Sequence, residues 1–351
     1  MSQSRSEFRQ QVFQRDNHTC LVPSCGEDAV DAHHIMERSL WSDGGYIPEN
    51  GASVCETHHK LAEKNVIPPQ AFYRWIEAED PPLPEGVSYH SNKWGEKLKE
   101  PPWKEYREDI KYPSSRHLPW SHEQDRDDTS HQTIDWAADI PLIATVKMDG
   151  GNCMIVNDDN QPIRARNGKH ADKEHFDLAK SWYWNSGLPE NLDPNLQLFG
   201  EWLYAKHSIH YGCNCDEPCE DEGPPLNHYF QLFGIYDKQF DVWLGWDKTV
   251  EIADDLGLQL VPPAQESEYY ITTSGEGTQK LWADLYDLSQ EVESQGHEGI
   301  VVRSALPFHY GQFESRLGKY VRDDHVKKGE KHWSHRPLVQ NQVRDDLSFT
   351  W

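Results

Sequence analysis

The chain has 351 residues, 36% of them hydrophobic, and its 14 Trp, 15 Tyr and 11 Phe supply enough buried area for two cored domains. Seven cysteines, an odd number clustered near histidines, argue against a disulfide framework and for metal sites. No apolar run spans a bilayer and no secretory signal starts at Met1, so a cytoplasmic protein without membrane attachment is expected, while 34 basic against 59 acidic residues give a net charge of −25 that repels polyanions in bulk.

In chain order, residues 7–16 read as a short helix, followed by a Cys/His-rich turn region and a closing helix after Cys55; residues 1–66 form one unit. Residues 67–108, with Pro68-Pro69, Pro81-Pro82 and Pro101-Pro102, read as a Pro-rich linker with irregular packing. From 109 to 351 the pattern turns strand-rich with inserted helices. Strands are expected at 143–147, 154–157, 196–204, 229–236 and 299–303. Helices are expected at 172–184, with Asp172 as N-cap, and at 248–256, closed by Gly257. No internal repeat is visible.

Cys20-x4-Cys25 and Cys55-x2-His58 are two ligand pairs whose separation suits a closed tetrahedral zinc site. Left over are His33, His34, Asn50 and His59. The pattern resembles the HNH endonuclease family over residues 8–65. That resemblance implies a zinc-stabilised ββα-metal module in which Asp31-Ala32-His33-His34-Ile35 ends the first strand. It implies His34 as general base, His33 and His59 as ligands of a catalytic divalent ion, and Asn50 as the holder of the loop that orients His34. A neutral imidazole accepts a proton near pH 7, and a divalent ion stabilises the pentacovalent phosphate. The alternative is a zinc module that only docks nucleic acid or a partner. How His58 and His59 divide between the two metals stays open.

Downstream, Lys147-Met148-Asp149-Gly150 follows the apolar run 141–146. Then come Arg166-Asn167-Gly168, Phe199-Gly200-Glu201-Trp202, Glu298-Gly299-Ile300-Val301-Val302-Arg303 and Lys319-Tyr320-Val321-Arg322. This ordered set resembles RNA ligases of the covalent nucleotidyltransferase superfamily, of the Lys-x-Asp-Gly type, over residues 110–335. His117-Leu118-Pro119-Trp120-Ser121 and Lys206-His207-Ser208-Ile209-His210-Tyr211 look like segments of a bacterial and phage group of such ligases. After Lys319 only 32 residues remain (351 minus 319), too few for an OB fold. The expected fold class is therefore α+β: the HNH module, then a nucleotidyltransferase domain with an ATP-grasp-like antiparallel sheet.

The resemblance implies that Lys147 attacks the α-phosphate of ATP to give lysyl-AMP, that AMP passes to an RNA 5′-phosphate, and that a 3′-OH displaces it. Free lysine titrates near roughly 10.4, so cationic neighbours and a metal are expected to favour the neutral amine. Arg166 and Lys319 would neutralise phosphate, with Arg322 assisting; Glu201 would meet the ribose hydroxyl and Glu298 would position Mg²⁺ or Mn²⁺. The sequence Lys319-x-x-Arg322 stands where many members have Lys-x-Lys. Phe233 is the residue expected to stack on adenine, with Phe230 as competitor. The insertion Cys213-Asn214-Cys215-Asp216-Glu217-Pro218-Cys219 reads either as a further zinc site, with His210 or His228, or as an acidic surface loop.

The function expected is an ATP-dependent RNA ligase fused to an HNH nuclease, in nucleic-acid repair. Its partners would be RNA, nicked or hybrid duplexes included, and DNA for the HNH module, with no protein partner. A DNA ligase or a guanylyltransferase is the other alternative. The net charge requires either basic residues concentrated in one groove, with 316–331 contributing much, or reliance on divalent ions.

Overall fold

The computed structural model describes residues 3–102, 109–122, 129–138, 140–166, 169, 171, 173–213, 222–265, 268–271, 277–323 and 337–344. Asn167, Gly168, Asp172, Cys215, Cys219 and the basic stretch beyond 323 lie outside the described residues. The chain divides into two compact units. The first comprises 1–108 with the segments 237–248 and 306–313; the second comprises 109–236, 249–305 and 314–351.

The chain opens with α1 (Arg5–Arg15), where Ser4 and Glu7 form a reciprocal capping box, an arrangement typically worth about 1 kcal/mol. Its apolar face buries Phe8 and Val12. Next come β1 (Asp31–His34) and β2 (Gly51–Val54), paired antiparallel with His34 opposite Gly51. Gly51 lets α1 approach closely, since a Cβ there would lie 2.4 Å from Val12 Cγ2. Helix α2 (Glu56–Glu63) follows directly, then α3 (Pro69–Trp75).

Helix α3 lies inside the stretch read as a linker. Proline sits at its first turn, where no N–H partner is needed, and Phe72 and Tyr73 are fully buried. Gln70 donates to the carbonyl of Ser91, and Arg74 pairs with Asp237 at 2.7 Å. Residues 67–102 are thus a packed part of the first unit, because prolines that end helices also start them.

The second unit carries β3 (Arg116–His117), β4 (Leu142–Lys147), β5 (Gly151–Val156), β6 (Ile163–Ala165), α4 (Asp177–Asn185), α5 (Leu188–Asn191) and β7 (Leu196–Trp202). After these come β8 (His210–Tyr211), β9 (Glu222–Gly223) and β10 (Phe230–Asp237); β11 (Val242–Trp243) then belongs to the first unit. The remainder is α6 (Trp246–Asp255), β12 (Tyr270–Ile271), α7 (Thr278–Ser294), β13 (Gly299–Ser304), β14 (Phe308–His309), which pairs with β11, and β15 (Leu317–Val321). One sheet runs β12-β4-β13-β15-β3, antiparallel except for β15 with β3. A second sheet includes the order β10-β7-β5-β6.

Helix α4 starts at Asp177 rather than at 172, because Glu174–Phe176 takes a 3₁₀ turn and no side chain caps it. The 17-residue α7 buries Leu281, Leu285, Leu288 and Val292, a helical stripe absent from the expected elements. No helix among the described residues is long and apolar enough to cross a membrane.

In the first unit, His309 is fully buried; its Nδ1 accepts the Gly311 N–H at 3.0 Å and its Nε2 lies 3.1 Å from His90 Nδ1. Burial first, then His90, pushes the His309 pKa down to about 3, and burial lowers His90 as well. Unfolded imidazoles titrate near roughly 6.5, so in acid the unfolded chain binds more protons and stability is lost as pH falls from 6.5 toward 3. For His309 this amounts to roughly 2 kcal/mol between pH 7.5 and 5.0. Urea midpoints at the two pH values should show that loss in the wild type and a flatter dependence in His309→Gln; equal slopes would reject the coupling.

Candidate functional site

Register brings the separated motifs of the second unit onto one sheet face. Lys147 at the end of β4 pairs with Gly299 of β13, which pairs in turn with Val321 of β15. The next rungs on the same face are Thr145-Val301-Lys319 and Ile143-Arg303-Leu317. Lys147, Lys319 and Arg303 therefore share a face, while Val146, Ile300, Val302 and Tyr320 fill the core behind it. Gly299 is required by the close approach of β15: a Cβ there would lie 2.0 Å from the Tyr320 carbonyl oxygen. Beside it, the Glu298 carbonyl accepts from the Arg322 N–H at 3.0 Å.

Lys147 Nζ is 2.5 Å from Glu298 Oε1, with the lysine side chain 26% exposed and the glutamate buried. Burial opposes the charged amine, but Glu298, Glu201 and Asp149 outweigh it, and the Lys147 pKa lies above the ordinary value. The expectation of cationic neighbours is thus corrected: the charges that act most on the amine are three carboxylates, which favour its protonated form. Glu201 titrates the other way, pushed up to about 8 by burial first, with Lys147 opposing and Glu298 and Asp149 reinforcing. Exposed Arg166, just past β6, acts on Glu201 as a positive charge.

Asp149 is an anchor. Its Oδ2 accepts the N–H groups of Ser208 and Ile209 at 2.7 and 2.6 Å, and its own N–H donates to the Tyr211 hydroxyl at 3.0 Å. The Lys147–Gly150 and Lys206–Tyr211 motifs are therefore one structure. Gly150 packs so tightly that a Cβ would meet the Trp202 carbonyl at 2.8 Å and Glu201 Cγ at 3.0 Å. The His117–Ser121 motif braces β15: Ser121 Oγ lies 2.7 Å from His117 Nδ1 and accepts the Val321 N–H at 2.9 Å.

Phe230 and Phe233 point to opposite faces of β10. Phe230 is buried against Trp182 and the Gly200 backbone, whereas Phe233 is half-buried and meets Tyr112 edge-on at 5.1 Å. Arg303, quoted in a motif but given no role, and Tyr112, missed from the sequence, complete the surroundings. Arg303 Nη1 donates to the Phe233 carbonyl at 2.9 Å and joins β13 to β10. Tyr112 touches Phe199 and Phe233, its segment held by two hydrogen bonds between the Ile110 backbone and the Gln197 side chain.

In the first unit, the ligand atoms of Cys20, Cys25, Cys55 and His58 lie within 4.8 Å of one another. Cys25 Sγ and Cys55 Sγ are 3.8 Å apart, and His58 Nδ1 is 3.2 Å from Cys55 Sγ and 3.4 Å from Cys20 Sγ. A tetrahedral ion with Zn–S bonds of about 2.3 Å has S–S edges of about 3.8 Å, so the donor set fits zinc. His58 falls in this cluster and His59 outside it.

His59 joins a second cluster with His33 and Glu63, again within 4.8 Å. Glu63, one helical turn after His59 on α2, was not foreseen. Its Oε1 is 3.0 Å from His33 Nδ1 and 3.5 Å from His59 Nε2, while Asp31 Oδ2 is 3.6 Å from His59 Nε2. This cluster opens on a cleft of about 180 Å³ that is also lined by His34, Arg5, Arg9 and Arg38. The three arginines are matched in the lining by Asp31, Glu37 and Glu63, and Arg9 pairs with Asp31 at 2.8 Å, so the cleft is formally neutral in a chain of net charge −25.

His34 stacks on Phe8 at 4.5 Å, and its buried Nε2 has no hydrogen-bond partner among the described residues. Burial, then the charge of Arg38, pushes its pKa down to about 4, so the ring is neutral at pH 7. Fully buried Asn50 clamps the loop after β1: its Oδ1 accepts the Met36 N–H at 2.8 Å, and its Nδ2 donates to the carbonyls of Met36 and Gly45 at 3.2 Å.

The RNA ligase family model matches residues 140–321. Among solved structures, an archaeal ATP-dependent RNA ligase is similar at 17% identity and a TM-score of 0.39, covering 61% of this chain and 48% of that one. A Naegleria gruberi RNA ligase with PPi is similar at 16% identity and a TM-score of 0.37, covering 66% of this chain and 64% of that one. The chain thus spans about half the length of the archaeal structure. No curated protein matches it.

Proposed function

The chain belongs to the RNA ligase family, and on that premise we propose that it is an ATP-dependent ligase that joins RNA 3′-OH and 5′-phosphate ends through lysyl-AMP at Lys147. The observation that carries this reading is Lys147 at 2.5 Å from Glu298 on a face shared with Lys319. Lys147 gives up its proton before attack, and Glu298 is the acceptor in contact with it. Lys319, Arg166 and Arg322 bind phosphate oxygens, Glu201 meets the ribose, and Phe233 supplies the half-buried ring for adenine. The hard oxygens of Glu298 would hold Mg²⁺ or Mn²⁺, whose charge would offset the carboxylate field on Lys147.

The β1-β2-α2 unit is proposed as an HNH nuclease on nucleic acid. His34 activates water there, His33, His59 and Glu63 hold a divalent ion, and Asn50 fixes the His34 loop. Incubating the protein with labelled ATP, Mg²⁺ or Mn²⁺, and matched single-stranded, nicked and hairpin RNA and DNA tests both parts. A labelled protein adduct, RNA joining and metal-dependent cutting are expected. Adduct formation from GTP or NAD⁺ alone, or joining confined to DNA, would favour a guanylyltransferase or a DNA ligase.

Zinc at Cys20, Cys25, Cys55 and His58 pins the first unit, since these ligands lie on two loops and the start of α2. One zinc per chain is expected by metal analysis. Stripping it with a strong chelator, or Cys25→Ser, should lower the urea midpoint of this unit, whereas a metal-free protein with an unchanged midpoint would remove zinc from the account.

A further inference from the structure

Lys93 is 1% exposed, which is rare for lysine unless its ammonium is paired. Its Nζ stands 3.0 Å from Glu63 Oε2 and 3.7 Å from Glu37 Oε2. The Glu63 carboxylate is therefore divided: Oε1 faces the two imidazoles of His33 and His59, and Oε2 faces the ammonium. One carboxylate thus spans the imidazole pair and the buried ammonium, each oxygen committed to a different side.

The placement is built rather than incidental. The Lys93 N–H donates to Asn65 Oδ1 at 3.1 Å, and its carbonyl accepts from the Glu37 N–H at 2.9 Å. The turn that carries it is closed by Asn92, whose Oδ1 accepts the N–H groups of Trp94 and Glu96, both at 3.0 Å. Gly95, at φ +81°, completes the turn with a backbone conformation that other residues adopt at a cost. The segment read as a linker thus delivers a buried cation to a cluster formed by β1 and α2.

We propose that Lys93 is the fixed second positive charge of the His33–His59–Glu63 centre, a positioning residue that holds Glu63 as a one-oxygen donor and confines the centre to a single divalent cation. This rests on reading that cluster as a divalent-cation centre. A second ion would need Glu63 Oε2 and Glu37, the oxygens that the ammonium occupies. Lys93 does not line the cleft, so it acts through Glu63 and not on substrate.

The test is Mn²⁺ titration into the zinc-loaded full chain, read by electron paramagnetic resonance. Wild type and Lys93→Arg should give an isolated Mn²⁺ signal that His33→Ala removes. Lys93→Met, which leaves Glu63 and Glu37 uncompensated, should give a spin-coupled Mn²⁺ pair. Only the isolated signal in Lys93→Met, or a coupled pair in the wild type, overturns the proposal. A wild type without any Mn²⁺ signal sensitive to His33→Ala overturns the centre along with it. Zinc content and urea midpoint establish folding; should Lys93→Met fail them, Lys93→Ala, which likewise leaves Glu63 Oε2 without a donor, is read the same way. Strand cutting is not the readout, so a protein that binds Mn²⁺ as expected yet cuts nothing refutes the nuclease reading alone.

Discussion

Replacing Lys147 by alanine should abolish the labelled AMP adduct, a loss of at least about 10³-fold against wild type on a denaturing gel. The basis is positional. Lys147 ends β4 with its Nζ 2.5 Å from Glu298, and the register that places it beside Gly299 leaves no second amine on that rung. Lys319 lies one rung along the same face, where it can contact phosphate but cannot take the place opposite Gly299. Lys147→Arg should fail as completely, because a guanidinium stays protonated at any working pH and offers no free electron pair. In both variants the zinc content and urea midpoint should match wild type, which separates loss of the nucleophile from loss of fold. An adduct of wild-type intensity in Lys147→Ala would place the nucleophile elsewhere and dissolve the grouping of Glu201, Glu298 and Lys319 around it.

Much of that grouping was legible because each motif carries its own chemistry: a lysine after a buried strand, a glutamate before a glycine, an arginine past a short strand. The sequence could not supply the field. Three carboxylates converge on Lys147 only after β4, β7 and β13 come together, and they reverse the expected effect on its proton. Phe233 and Phe230 sit three apart on one strand, so alternation puts them on opposite faces, yet only the packing of Phe230 against Trp182 says which face is core. Glu63 went unread, and its spacing of four from His59 fits a surface pair as well as a shared ligand set. Lys93 was invisible for a stronger reason: burial of lysine runs against composition-based expectation, and its partners lie about thirty and more than fifty residues upstream. The helical stripe from Leu281 to Val292 on α7 was readable by spacing alone and was passed over beside the motifs around it.

Replacing His34 by alanine should reduce metal-dependent strand cutting by about 10²- to 10⁴-fold, the range a positioned general base contributes. The ring is suited to that role on three counts. It lines the same cleft as His33, His59 and Glu63, so a water held there can be reached from the cation and from the base. Its Nε2 is buried without a hydrogen-bond partner among the described residues, an arrangement that costs about 1–3 kcal/mol unless a ligand or water uses it. Its orientation is set by the Phe8 face and by the loop that Asn50 clamps, so little freedom is left to lose on binding. Asn50→Ala should therefore lower cutting as well, by loosening the loop. Label uptake from ATP should be unchanged in His34→Ala, because Lys147, Glu201 and Glu298 all belong to the other compact unit. If the first unit only docks nucleic acid, His34→Ala leaves cutting, joining and nucleic-acid affinity as they are. A protein that cuts equally well with and without His34 rejects the nuclease assignment while leaving the ligase intact.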